Sequence, residues 1–385
     1  MPVDEPGAVR PESVEELVAL IRDADEGANA FVPRGGGSKP ALTAPGAEST
    51  VIDMGRLTGI LAYEPSEFTI SVRAGTPLAD VDAALRENGQ ALPFDPPWVD
   101  VSGQHGGSTA GGAVAAGLSG PGSLRGGGLR DAVLAVRFVD GRGRHARAGA
   151  PVVKNAAGFD LPKLFVGGLG RLSILTEITF KVLPAPAAFS SASILFPSLD
   201  AARRAVVLLL ASPFELASLD ISRDSDDNWQ VVVRVGGGQL DRRLQRIASH
   251  LGQPVTRIDH GIDDGIDDAA FWRDRRDVTW APADRALVWI PITAGRVLAF
   301  DSALRDLDAT TVYGGGLSHA WTSLEASALP ALDALLHRLD LAGLLIRGGS
   351  HGAIDPVLGR MPGRAFLRRV KRALDPHDRF LSFQS

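Results

Sequence analysis

Cysteine is absent from this chain of 385 residues, and that single absence removes disulfides, thiolate zinc sites and iron–sulfur clusters together. Long apolar runs are missing as well. The longest, residues 205–211, falls far short of the roughly 20 residues that a bilayer-spanning helix needs. The opening Met1-Pro2-Val3-Asp4-Glu5 is acidic and unlike a signal peptide. The expectation is a cytoplasmic protein with no transmembrane segment. Charge of one sign is scarce: the net charge is −5, and no Lys/Arg cluster is interleaved with aromatics, which argues against nucleic acid as a partner. Two common nucleotide motifs are lacking too. No Gly-Lys pair exists to complete a P-loop, and no G-x-G-x-x-G opens a helix after a strand.

Glycine, in contrast, is concentrated in two places. The first is Arg34-Gly35-Gly36-Gly37-Ser38, after the apolar pair Phe31-Val32; the second is Gly106-Gly107-Ser108-Thr109-Ala110-Gly111-Gly112, running on to Gly117. Consecutive glycines let several N–H groups turn into one concavity that suits phosphate oxygens. Ser108 and Thr109 add hydroxyl donors. A glycine run alone is more often a turn, but two in this order can grip a long diphosphate ligand from two sides.

The chain reads as two α+β regions. Residues 11–24 carry Val14, Leu17, Val18 and Ile21 at helical spacing before the 31–32 strand. Strands follow at 51–54 and 68–73, a helix at 77–87, a hairpin at 133–147 turning on Asp140-Gly141, and a strand at 172–182 stopped by Pro184 and Pro186. Past residue 187 the order is β, α, β, β, α, with a further unit beginning at 286. This pattern implies an antiparallel sheet covered by helices on one face. Two acidic stretches have structural readings: Asp224 to Asn228 lacks the glycine and glutamate of a calcium loop and reads as a solvated turn, and Asp263 to Asp268 reads as an exposed loop, so no metal site is expected.

Residues 33–38, then Val72-Arg73-Ala74-Gly75-Thr76-Pro77-Leu78, then Leu92-Pro93-Phe94-Asp95-Pro96-Pro97 leading into 107–112, resemble the FAD domain of the vanillyl-alcohol-oxidase superfamily, also called PCMH-type. Residues 153–164 and 167–177 are similar to the segments that close this domain, the former most like the E subunit of glycolate oxidase. The resemblance implies a two-lobed FAD-binding domain over 1–186, an α+β cap or partner-interaction domain over 187–360, and a C-terminal helix and tail over 361–385 that return toward the first. It also implies an FAD-binding subunit of a complex oxidising 2-hydroxy acids such as glycolate, beside a homologous catalytic FAD subunit and an iron–sulfur subunit. Membrane association would come through those partners. With no cysteine in the chain, electrons would leave through another subunit, and with neither a cysteine nor a first-loop histidine for attachment, FAD is expected to be non-covalent.

Arg34, Gly35, Gly36, Gly37 and Ser38 are the candidates for the diphosphate, with Gly107, Ser108, Thr109, Gly111 and Gly112 facing it, while Gly117 and Ile174 match family positions that line the flavin. A base for a hydroxy acid would be a histidine. Only His319 and His351 stand in glycine-rich surroundings of the second region, where a solvent-facing loop is the simpler reading. The paired cap histidines and the second acid–histidine–glycine motif of catalytic relatives are missing, and residues 374–382 begin like the family's closing motif but depart from its Asn-Pro-Gly. An autonomous dehydrogenase using His319 or His351, and a structural subunit with a decayed flavin site, remain the alternatives.

Overall fold

The computed structural model describes residues 7–24, 30–44, 49–97, 107–150, 160–258, 267–348 and 355–383. Phe31 and Val32 lie in the strand Ala30–Arg34, which pairs in parallel with Ser49–Asp53. The crossover between these strands carries the first glycine loop and the short turn Pro40–Leu42. The helix Val14–Arg22, capped by Ser13, presses Leu17 and Ile21 onto Phe31, Ile52, Met54 and Leu57. Ile174 and Phe380 complete this small core.

Next to it lies a five-stranded antiparallel sheet, in the order Ile60–Glu64, Thr69–Arg73, Ile174–Lys181, Val133–Val139, His145–Gly149. The expected hairpin is present. Its turn is held by the buried Asp140 carboxylate, which accepts from the N–H groups of Arg142 and Arg144 and from the Arg144 guanidinium. The helices Leu78–Arg86 and Ala110–Ala116 cover this sheet, burying Leu78, Val81, Leu85, Ala113 and Val114 on Ile70, Val72, Ile178 and Phe180. Each large apolar side chain so buried contributes about 1.5–3 kcal/mol.

Gln90–Ala91 and Leu183–Pro184 form a short antiparallel pair, and the other strands form one nine-stranded sheet, antiparallel throughout. It is built from two β-α-β-β-α units that meet where Ile221 pairs with Tyr313. The helices Leu199–Leu210, Leu240–Leu251, Val297–Ala303 and Leu329–Arg338 cover one face through Val206, Leu209, Ile247, Phe300 and Leu336. The opposite face turns toward the glycine loops. There Leu287, Trp321 and Ile346, with Val278 and Ala281, pack on Leu42, Ala116 and Leu118.

Three readings of single residues need correction. His319 is no solvent-facing loop residue: it opens the strand His319–Leu324 and is buried. Asp268 is not in an exposed loop but buried, accepting from Ser191 Oγ at 2.5 Å and paired with Arg234 at 2.6 Å; Asp263 to Ile266 lie outside the described residues. Pro77 is the cap of its helix rather than the first helical residue. Among the described residues no helix is long and apolar enough to cross a membrane.

Candidate cofactor-binding site

The two glycine loops, far apart in sequence, meet. A Cβ added to Gly35 would stand 2.1 Å from Thr109 Oγ1, and one on Gly111 would stand 2.8 Å from Ala74 Cβ. Only glycine permits these approaches. Between the loops opens a cleft. One end is formed by backbone: Gly35, Gly36, Gly37 and Ser38 from the first loop, and Gly107, Thr109, Gly111 and Gly112 from the second. The other is apolar, with Met54, Phe165, Leu169, Leu172, Ile174 and Leu175. A ligand with a polar strand and a flat apolar ring fits such a division.

The hydrogen bonds distinguish the two loops. Among the described residues the N–H groups of Gly36, Gly37 and Ser38 donate to no acceptor. Gly37 has φ 70°, and a Cβ there would meet nothing within 4 Å. These are donors held open. Gly111 N–H, however, donates to the Ala74 carbonyl at 2.7 Å and Gly112 N–H to Thr109 Oγ1 at 3.2 Å. What those two glycines offer a ligand is therefore the lack of a side chain, not the expected N–H donors. Ser108 Oγ is buried with no partner among the described residues, an orphaned hydroxyl beside the cleft. Unpaired donors and an orphaned hydroxyl around a glycine-walled concavity fit a diphosphate.

Arg34 and Gly117 stand outside the cleft lining. Gly117 ends the helix Ala110–Ala116 at φ 67°, and a Cβ there would meet Gly167 N at 2.8 Å, so its role is close packing of the 165–173 loop, which also bonds through Gly167 N–H and Leu169 N–H to Val114 and Ala115 carbonyls. That loop contributes Gly168, Leu169, Gly170, Leu172 and Ser173 to the wall, of which sequence reasoning singled out none, although it marked the segment. Lys39 was missed altogether. A lysine directly after Gly-Gly-Gly-Ser was the available signal.

No histidine lines the cleft among the described residues. His319 lies on the sheet face turned toward the loops, its Nδ1 3.1 Å from Ser318 Oγ and its ring 6.0 Å from that of Trp289. Burial pushes its pKa down to about 4, so at neutral pH it is uncharged. His351 lies outside the described residues. Two carboxyls also stand between the sheets, Asp220 buried and Asp95 half-buried. Asp95 accepts from Gly122 N–H through both oxygens, at 3.0 and 2.9 Å, and burial raises it to about 7; Asp220 accepts from Gly315 N–H and is raised by burial to about 6.

A cleft walled by paired glycine loops, with an apolar floor, belongs to a nucleotide-flavin fold. Residues 6–149 match the family described as FAD binding domain, so this part of the chain is an FAD-binding domain of the PCMH type. It is 42% identical over 174 residues to glycolate oxidase subunit GlcE of Escherichia coli (strain K12), covering 45% of this chain and 48% of that protein. It is 29% identical over 213 residues to glycolate oxidase subunit GlcD of Bacillus subtilis (strain 168), covering 55% of this chain and 44% of the other. The chain thus spans about half the length of these curated relatives. A longer alignment, 26% identical over 416 residues, joins 96% of this chain to 71% of the mitochondrial D-lactate dehydrogenase [cytochrome] of Arabidopsis thaliana. Among solved structures, an alkyldihydroxyacetonephosphate synthase shares the fold, with a TM-score of 0.68 at 18% identity over 97% of this chain and 75% of its own.

Proposed function

We propose that this protein is the FAD-binding subunit of an assembly of the glycolate oxidase type, which oxidises 2-hydroxy acids such as glycolate to 2-oxo acids in the cytoplasm. Its partners would be a homologous catalytic FAD subunit and an iron–sulfur subunit, through which it would reach a membrane. The observation that carries this reading is the meeting of the two glycine loops across one cleft, in a chain whose similarity to GlcE is its strongest among the relatives above. When bound, FAD supplies the two-electron chemistry. The chain's own residues bind and orient it: Gly36, Gly37 and Ser38 donate to the diphosphate, with the Ser108 hydroxyl aimed from the second loop and Arg34 adding positive charge nearby. Gly35, Gly107, Thr109, Gly111 and Gly112 let the loops close around it, Gly117 packs the 165–173 loop in place, and Ile174 with its apolar neighbours excludes water. The described lining holds no histidine to take the substrate's hydroxyl proton, which supports placing the base on a partner.

The length of the alignment to the D-lactate dehydrogenase favours a second reading, an autonomous dehydrogenase of another hydroxy acid. Anaerobic mixing separates the two. The isolated, FAD-loaded chain should keep its oxidised flavin band with glycolate and D-lactate and lose it only beside its partners. Rapid bleaching of the isolated chain would establish the second reading and refute the first.

A further inference from the structure

Among the described residues, Lys39 is a buried cation without an anion beside it. Its side chain lies in the wall of the cleft and is 6% exposed. The ammonium donates to Ser38 Oγ and to the Pro97 carbonyl, each at 3.1 Å, and neither acceptor carries charge. No carboxylate stands at ion-pair distance from it among the described residues. Asp277 is the one described ionisable group whose charge reaches it, and that carboxylate is engaged by the Arg276 guanidinium at 2.7 and 2.8 Å. An ammonium so placed is costly unless an anion is brought to it.

We propose that Lys39 is a cofactor-binding residue whose missing counter-ion is the diphosphate of FAD: it lines the same cleft as Gly36, Gly37 and Ser38 with their unpaired N–H groups, one residue further along the loop, and its ammonium bonds the Ser38 hydroxyl. This rests on the assignment of that loop to the diphosphate. Because Ser38 Oγ accepts from Lys39, its own hydroxyl proton is left for the ligand. Without the cofactor, burial lowers Lys39 to about 8, with Asp277 opposing the shift. The arriving anion raises it again. FAD binding therefore draws in a proton above pH 8, and affinity is level below that point and weakens as pH rises through it.

The test titrates FAD and, separately, riboflavin, which has the same ring and no phosphate, into the cofactor-free wild type and Lys39→Met, near pH 7 and near pH 9.5. Wild type should lose FAD affinity at the higher pH. Lys39→Met should bind FAD about tenfold to a hundredfold more weakly near pH 7, with no pH dependence and unchanged riboflavin affinity. The cofactor-free variant should unfold no earlier than wild type, since it no longer buries a lone charge. Wild-type FAD affinity in Lys39→Met, or an equal loss for riboflavin, overturns the proposal. A wild type that binds riboflavin as tightly as FAD overturns the assignment of the loop instead. Should the variant not fold, calorimetric titration of wild type near pH 8.5 in two buffers of different ionisation enthalpy still decides, because finding no proton uptake refutes the role of Lys39.

Discussion

An alanine at position 35 would place its Cβ 2.1 Å from Thr109 Oγ1, closer than two non-bonded heavy atoms can sit. Thr109 Cβ and Cγ2 are each 3.3 Å from the same point, so of the two other χ1 rotamers one brings the methyl group to the obstruction and the other, which turns the hydrogen there, still leaves Cβ close. Relief comes from turning χ1 or from parting the loops, and either takes Thr109 Oγ1 off the Gly112 N–H it caps. Overpacking costs about 1–3 kcal/mol and loss of the cap about 1 kcal/mol, so Gly35→Ala should destabilise the cofactor-free protein by about 2–4 kcal/mol. Thr109→Ala alone should cost about 1 kcal/mol and removes the obstruction. The double variant should then be about as stable as Thr109→Ala, a coupling of about 2–4 kcal/mol, read by urea unfolding with each single variant in parallel. FAD affinity should fall in Gly35→Ala and largely return in the double variant. Additivity within about 0.5 kcal/mol would refute the close approach of the loops.

The protein should purify yellow and release intact FAD on heat denaturation, seen by chromatography of the supernatant; flavin that stays with the precipitate would show covalent attachment. Gly37→Val, forced toward φ 70° with its side chain in open cleft, should lose FAD affinity with a stability cost of about 1–2 kcal/mol, whereas unchanged affinity would make the loop a turn only. His319 sits below its ordinary value, so the stability it contributes is present above about pH 6.5 and disappears as pH falls through about 4; unfolding of His319→Gln across that range should show a flatter pH dependence than wild type, with FAD affinity retained. Asp95 sits above its ordinary value, so its contribution is present at low pH and is lost as pH rises through about 7. Asp95→Asn, which can still accept from Gly122 N–H, should accordingly gain on wild type between about pH 5 and pH 8, and a constant difference would contradict the burial of a charge there.

Local signals carried the elements well. The 133–149 hairpin was legible because Asp140-Gly141 interrupts alternating apolar residues, and the second region's β-α-β-β-α order because its helices and strands have distinct periods. Features set by distant segments were not. Gly314, Gly315 and Gly316 look like a loop around His319, but they serve the tight turn between Thr310–Gly314 and His319–Leu324, and the imidazole packs over Gly314, where a Cβ would lie 2.5 Å from Nε2. Lys39 meets the Pro97 carbonyl and the charge of Asp277, neither visible from its neighbours in sequence. The clustering of glycine revealed both cleft loops. It could not reveal that Gly111 and Gly112 had already spent their N–H groups on Ala74 and Thr109.

Phe31, four residues before Gly35, donates its N–H to the Arg379 carbonyl at 2.7 Å, and Phe380 belongs to the same small core. Arg379 reaches back to the Ala24 carbonyl, Arg171 to that of Ser382, and the buried Lys371 ammonium bonds Asp375 and the Phe380 carbonyl. The strand that launches the first cofactor loop is thus held by residues translated some 350 positions later. During synthesis the glycine loop emerges early but its base is not complete until the 371–383 segment leaves the ribosome, so cofactor loading should be a post-translational event, and chains stalled before that segment should accumulate without flavin.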